Sequence, residues 1–317
     1  MTKSDFSYCR RFSRRDVLAL GGAIAAAAAL RPAAAAALLM TRPIPRTGER
    51  LPAVGLGTAI VFDIGEDAAR RGERSRVIAA LVENGARVID TAPSYGTAES
   101  VVGELVAALG VRDRIFLATK VRVAPRDAAV AEMQASLRRL RSGRLDLMQI
   151  HNAGPDPGAA ADQLGLLREW KERGVLRYVG VTHFRESANE QLIALMEREK
   201  LDFVQVNYSM AERSVERRLL AAAAATGTAV LVNLPFARGK LFAAVRGKQV
   251  PEWAAEFEAA SWGQFFLKYL LAQEAVTCVI PGTDKPEYML DNLNAARGRL
   301  PDAAMRRKMT GFLDALR

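Results

Sequence analysis

The feature that most restricts the fold of this chain is a regular alternation of two kinds of segment from residue 54 onward. Short apolar runs rich in Val, Ile, Leu and Phe fall at 54–58, 87–92, 115–120, 145–151, 175–183, 203–208, 230–235 and 277–281. Runs this short and this continuously apolar predict strands buried on both faces. Between them lie longer stretches with i, i+3, i+4 spacing, near 66–84, 97–109, 127–141, 159–173, 186–199, 214–226 and 253–273, then 286–296 and 302–316. Eight buried strands, each followed by a helix, predict a closed parallel (β/α)8 barrel. A doubly wound open sheet is the alternative. It would carry a G-x-G-x-x-G turn after the first strand, and Gly55-Leu56-Gly57-Thr58 does not continue that way. Ahead of the first strand, residues 40–52 read as a β-hairpin around Thr47-Gly48-Glu49 that closes the barrel floor. Residues 38–317 are thus expected to form one barrel domain of ordinary size for this fold, about 250 residues.

Residues 1–37 are expected to be an address rather than part of the fold. Ser13-Arg14-Arg15-Asp16-Val17-Leu18 closes a basic region, and an apolar stretch rich in Ala and Gly runs from Val17 to Leu30. That stretch is shorter than the roughly 20 residues a bilayer span needs. Arg31-Pro32 and alanines 33–37 follow, with an Ala-x-Ala cleavage site after Ala37. Paired arginines before a weakly hydrophobic run resemble the twin-arginine signal peptide of bacteria. The resemblance implies export to the periplasm of an already folded protein by the twin-arginine machinery, with membrane contact only through an uncleaved signal. The alternative is a cytoplasmic protein with an alanine-rich N-terminal helix.

Charge and cysteine usage agree with that division. The net charge is +10, and residues 1–37 carry six basic and two acidic side chains, so four of the excess charges lie there and six elsewhere. The remaining Arg and Lys are scattered along helical patterns, which argues for solvated faces and against nucleic acid as a partner. An anionic cofactor or substrate is the better use of the surplus. Cys9 and Cys278 are the two cysteines, and loss of the leader leaves no intramolecular disulfide, as suits a chain that folds before export. With two histidines and no cluster of carboxylates, no metal site is expected.

In parallel barrels chemistry sits at the C-terminal ends of the strands. Here the second strand ends Val88-Ile89-Asp90 and leads into Pro93-Ser94-Tyr95-Gly96, the third ends in Lys120, and the fourth in His151. A buried Asp or Lys is costly unless paired, and neighbouring strands let Asp90 and Lys120 pair. A free tyrosine ionises near 10, too high for an efficient acid at neutral pH, and a neighbouring ammonium favours the phenolate. The group is therefore expected to work as catalytic acid (Tyr95), its tuner (Lys120), an anchor for the tuner (Asp90) and a hydrogen-bond donor to a substrate oxygen (His151). Taken singly each residue has an ordinary structural use: a turn, a cap, a rim lysine, a structural histidine.

Taken together, Asp90-Thr91-Ala92-Pro93-Ser94-Tyr95-Gly96 with Ala98-Glu99, Ala118-Thr119-Lys120 and Gln149-Ile150-His151 resemble the signature series of the aldo-keto reductases. Gly180-Val181-Thr182-His183-Phe184, Gln205-Val206-Asn207-Tyr208-Ser209 and Ile280-Pro281-Gly282-Thr283 continue it in the same order over roughly residues 40–317. The resemblance implies that Asp90, Tyr95, Lys120 and His151 are a catalytic tetrad. It implies an NADP(H) cofactor, with NAD(H) also possible, bound across the mouth of the barrel. Thr182 and Gln205 would hold the nicotinamide carboxamide, with His183 where the family usually has Asn. The loop Leu234-Pro235-Phe236-Ala237-Arg238-Gly239-Lys240-Leu241 would cover the pyrophosphate, with Arg238 and Lys240 supplying positive charge and Gly239 allowing close backbone approach. Gly282, Thr283, Lys285 and Asn292 would take the adenosine end. Asn233 stands where many relatives have an aromatic ring, so either Phe236 substitutes or the ring is held less firmly. Tyr288 and Asp284 are poorly suited to a 2′-phosphate. The implied activity is reduction of an aldehyde or ketone to an alcohol, the alternative being a nucleotide-binding regulatory barrel. Loops 58–67, 121–126, 152–157 and 237–250 are expected to set the substrate, while Trp253 and Trp262 are expected to pack.

Overall fold

The computed structural model describes residues 38–122, 125–154 and 156–316. The leader, with Arg14-Arg15 and Cys9, lies outside the described residues.

Two short strands, β1 (Thr41–Pro43) and β2 (Arg50–Pro52), pair antiparallel with Arg42 opposite Leu51. The eight strands that follow form one parallel sheet in sequence order: β3 (Leu56–Gly57), β4 (Val88–Asp90), β5 (Phe116–Arg122), β6 (Leu145–His151), β7 (Leu176–His183), β8 (Phe203–Asn207), β9 (Ala229–Asn233) and β10 (Val276–Val279). The sheet closes on itself. Gly55 N donates to Val279 O (2.8 Å), Val279 N to Ala53 O (2.9 Å) and Gly57 N to Pro281 O (3.0 Å). Gly57 is required at this seam, because a Cβ there would stand 2.6 Å from Ile280 O.

Helices α1 (Ala68–Glu83), α2 (Ala98–Ala108), α3 (Arg126–Arg139), α4 (Pro157–Glu172), α5 (Asn189–Glu199), α6 (Leu219–Thr226), α7 (Lys240–Ala244), α8 (Trp262–Leu271), α9 (Pro286–Asn294) and α10 (Ala303–Asp314) follow the strands. Their starts are capped where a short polar side chain precedes the periodic run. Asp67 accepts from Arg70 N, Ser261 from Gln264 N and Asp302 from Met305 N.

Two expected helices are broken. The stretch 253–273 is a 3-10 turn over Glu252–Phe257, then Glu258 at φ 57°, then α8 from Trp262. The apolar spacing runs through the break because Trp253 and Phe257, before it, pack edge-on and tilted against Phe265 after it. Both tryptophans pack, as expected: Trp253 and Trp262 also contact Phe312 of α10. The stretch 214–226 is likewise a single turn (Ser214–Glu216) followed by α6. Glu216 at that turn is drawn inward, accepting from Tyr208, Tyr269 and Arg306 at 2.6–2.8 Å.

Reading every second residue up each strand gives the wall of the barrel interior. Its lower part is apolar: Val88, Phe116, Leu147, Tyr178, Phe203, Leu231 and Cys278 form one buried cluster with Ile44 and Leu51 of the hairpin. Continuing the same alternation upward reaches Asp90, Lys120, Gln149, Thr182, Gln205 and Asn233. The interior is thus a plugged apolar floor beneath a polar mouth, while a larger apolar cluster fills the space between strands and helices. Cys278 is a free thiol in the floor.

The hairpin is held by more than apolar contact. Glu49 accepts from Tyr178 Oη (2.6 Å), Arg177 (2.5 Å) and Arg87 (2.9 Å). Burial pushes its pKa up, but the Tyr178 hydrogen bond and the two guanidiniums outweigh it, so the carboxyl ionises below its ordinary range. Its stabilising contribution is therefore present above the unfolded carboxyl value and fades as pH falls through the lower folded one. Glu49→Ala is expected to cost roughly 1–3 kcal/mol in denaturant unfolding at pH 7, and the gap from wild type should narrow below about pH 4, near the free glutamate value. A gap independent of pH would contradict this.

Candidate active site

Asp90, at the end of β4, is the hub of the polar mouth. Its Oδ2 accepts from Lys120 Nζ at 2.6 Å, and Lys120 Nζ also donates to Thr91 O at 2.8 Å. Its Oδ1 accepts from Gln205 Nε2 (2.8 Å) and Gln149 Nε2 (3.2 Å). Asp90 is 3% exposed and Lys120 1%, so both charges are out of water. Burial disfavours the ammonium, but the Asp90 carboxylate, by its charge and its hydrogen bond, offsets this and the Lys120 value is raised above its ordinary one.

Tyr95 stands over this pair, half-buried, with Lys120 Nζ 5.0 Å from its ring centroid. His151, at the end of β6, meets the Tyr95 ring edge-on at 5.9 Å and 87°. Its Nδ1 lies 3.5 Å from Ser94 Oγ. Burial first, and the Lys120 ammonium second, push the imidazole pKa down to about 4. At neutral pH His151 is therefore an uncharged ring that donates from one nitrogen and accepts at the other.

The loop carrying Tyr95 is fixed from outside the barrel. Asp63 Oδ1 accepts from Thr97 N and Thr97 Oγ1, both at 2.9 Å, and Gly65 N donates to Thr97 Oγ1 at 3.0 Å. Those bonds hold the exposed Asp63 carboxyl below its usual range. Gly96 has φ +58°, and a Cβ there would lie 2.3 Å from the Asp63 carboxylate. Only glycine lets the two loops meet this closely. Arg74 of α1 adds a second tie, donating to Val61 O (2.6 Å) and Asp284 O (2.7 Å) from either side of the β10–β3 seam.

Above the tetrad opens a cleft of about 730 Å³. Asp90, Tyr95, His151, Thr182, Gln205, Leu234, Phe236, Arg238, Gly239 and Gly282 line it, and Lys120 sits beneath Asp90. Four of the expected cofactor residues lie outside this lining. His183 points to the other face of β7 from Thr182; its Nδ1 accepts from Arg185 N (3.0 Å) and its ring stacks on Phe184. Lys285 is exposed beside the Tyr288 ring, and Thr283 and Asn292, the latter within α9, are buried. Ser94, Gly96, Phe184 and Ile280 of the motifs, Phe242 of the 237–250 loop and Gly57, none of which had been given a role of its own, also line the cleft. Strand alternation could have found Ile280, two residues beyond the inward Cys278; the loop residues carry no comparable signal.

Backbone strain marks the same place. Among non-glycine residues with positive φ, Ile60, Asn152, Leu234 and Arg238 all line the cleft, at 50–68°. Ile60 is β-branched and 77% exposed, so neither sterics nor burial favours its conformation. Leu234, Ala237, Arg238 and Gly239 crowd four left-handed residues into the loop after β9. Such strain persists where the surroundings over-determine the backbone, and it clusters at binding sites.

Comparison with known proteins agrees with this geometry. Residues 53–308 match the model of the aldo/keto reductase family. The chain is 30% identical over 226 residues to "Aldo-keto reductase YhdN" of Bacillus subtilis (strain 168), covering 67% of this chain and 66% of that one. It is 31% identical over 234 residues to "Methylglyoxal reductase YeaE" of Escherichia coli (strain K12), covering 72% and 80%. The chain spans between about half and two thirds of the length of the first curated relatives it matches. Among solved structures, an aldo-keto reductase from Klebsiella pneumoniae in complex with NADPH superposes with a TM-score of 0.74 at 25% identity, covering 87% of this chain and 95% of that one.

The depressed His151 value has a measurable consequence. The imidazole resonances of His151 should stay those of a neutral ring from pH 8 down to about 5 and titrate near 4. Because the unfolded chain takes up this proton first, near 6.5, His151 should also make folding less stable as pH falls through that window. A midpoint at 6.5 in the folded protein would contradict the half-buried, lysine-flanked placement.

Proposed function

The chain belongs to the aldo/keto reductase family, and from that membership and the geometry of the cleft we propose that it reduces an aldehyde or ketone to an alcohol with NADPH. The observation that carries the reading is the buried Asp90–Lys120 pair set directly under the Tyr95 ring at the mouth of the barrel. The cleft suits a dinucleotide. Thr182 and Gln205 offer polar edges at its base, Asn233 Oδ1 is buried without a partner, and the backbone at Gly239 is open beside Arg238.

Bound NADPH supplies the hydride that the carbonyl carbon receives. The chain's own residues manage the oxygen. Tyr95 gives the phenolic proton to the carbonyl oxygen as the carbon is reduced. The Lys120 ammonium stabilises the negative charge left on the phenolate, in a site where low dielectric strengthens the interaction. Asp90 keeps Lys120 charged and aimed, and is itself held by Gln149 and Gln205. His151, uncharged, donates a hydrogen bond to the substrate oxygen and orients it against Tyr95. In the alcohol-oxidising direction the same groups act in reverse, Tyr95 receiving the proton.

Tyr95→Phe should lower kcat by about 10³-fold or more while the NADPH dissociation constant, read by fluorescence quenching, changes by no more than about twofold. Turnover close to wild type in this variant would remove the assignment.

The leader has its own reading. Residues 1–37 direct export to the periplasm by the twin-arginine machinery, supported by Arg14-Arg15 ahead of an apolar stretch ending at Leu30. Export of a folded, cofactor-loaded enzyme fits a compartment without its own NADPH supply. Replacing both arginines, Arg14→Lys with Arg15→Lys, should keep the protein in the cytoplasm in a fractionation experiment. An unchanged periplasmic fraction would refute it.

A further inference from the structure

Residue 233 ends β9, and its side chain stands in the cleft next to Gln205. An aromatic ring here would offer a face for stacking. Asn233 offers two edges instead. Its Nδ2 donates to Gln205 Oε1 at 3.4 Å, and its Oδ1 is shielded from solvent with no hydrogen-bond partner. A buried carbonyl oxygen left unpaired is unfavourable, and in a native site it points to a donor that arrives with the ligand.

The surroundings say what kind of donor. Asn207 pairs with Asn233 across the β8–β9 ladder, and its Oδ1 is orphaned in the same way. The amide N–H groups nearby are already engaged: Gln205 Nε2 on Asp90 Oδ1 at 2.8 Å, and Asn207 Nδ2 on Glu212 Oε2 at 2.8 Å. Thr182 Oγ1 is 3.4 Å from Gln205 Oε1. Around Asn233, therefore, acceptor oxygens are to spare while the neighbouring amides of Gln205 and Asn207 already donate elsewhere. Phe236, the other candidate for stacking, has its ring against Phe242 at 4.8 Å and Phe266 at 6.5 Å.

We infer that Asn233 is a cofactor-positioning residue whose Oδ1 accepts a hydrogen bond from the amide nitrogen of the nicotinamide carboxamide, in place of a stacked aromatic ring. This rests on the NADPH-dependent reading above and sharpens it. The ring is held by the edge of its carboxamide, through Asn233 together with Gln205, and its orientation depends on the amide N–H rather than on a flat partner.

The test uses NADP⁺ and its 3-acetylpyridine analogue, in which a methyl replaces the amide nitrogen. Dissociation constants are measured by calorimetry on the full chain. Wild type should prefer NADP⁺ by about tenfold or more, the value of one well-placed hydrogen bond. Asn233→Leu, close in size but without the acceptor, should weaken NADP⁺ by about tenfold and leave the analogue within about twofold, so that the preference collapses. Asn233→Ala should give the same collapse, and supplies the measurement if the leucine variant does not fold. A preference that survives in both variants would overturn the role of Asn233. Wild type that binds neither nucleotide would overturn the functional reading on which it rests.

Discussion

The interaction on which the site depends is the ion pair between Asp90 and Lys120, closed at 2.6 Å with both side chains nearly out of water. Removing two charges from solvent is expensive, and their mutual attraction offsets the penalty only when the geometry is good and the remaining lone pairs and protons are satisfied. Here Lys120 has a second acceptor in Thr91 O, and Asp90 has second and third donors in Gln149 and Gln205. Those groups come from β4, β5, β6 and β8, so the pair exists only because a closed barrel points them all at one axis. A fixed ammonium beneath a tyrosine then follows from the fold itself.

The rest of the molecule can be understood as support for that point. Below the pair, stacked and tilted rings of Phe116, Tyr178 and Phe203 fill the barrel, and the hairpin seals it through Ile44, Leu51 and Glu49. This keeps water from entering the ion pair from underneath. Above the pair, loops are pinned by Asp63, Thr97 and Arg74 together with the buried Phe62 and Ile64, and four of the eight described non-glycine residues with positive φ line the cleft. Rigid floor and constrained rim together leave a polar opening onto Tyr95 and His151.

Much of this was legible in the sequence, for a definite reason. Strands covered on both faces read as unbroken apolar runs, and each run switches to a polar residue where its inward face reaches the mouth, as at Asp90, Lys120 and His151. The helix break at Glu258 was not legible, because Trp253, Phe257 and Phe265 keep their spacing across it. Motif matching placed His183 beside Thr182 in the cofactor site. Strand alternation sends consecutive residues to opposite faces, so His183 turns away from Thr182, and its ring stacks on Phe184, which itself lines the cleft. Gly96 and Phe184 stand inside the quoted motifs, but their place in the cleft wall follows from loop paths that tertiary contacts decide.

The central claim is that the buried ammonium of Lys120 makes Tyr95 an effective acid. Steady-state kcat of Lys120→Met, measured beside the NADPH dissociation constant of the same protein, tests it most directly. The account predicts a loss of about 10²–10⁴ in kcat, the range for a general acid deprived of its partner, with nucleotide affinity within a few-fold of wild type. A Lys120→Met protein that binds NADPH and turns over carbonyl substrates at close to the wild-type rate would contradict it.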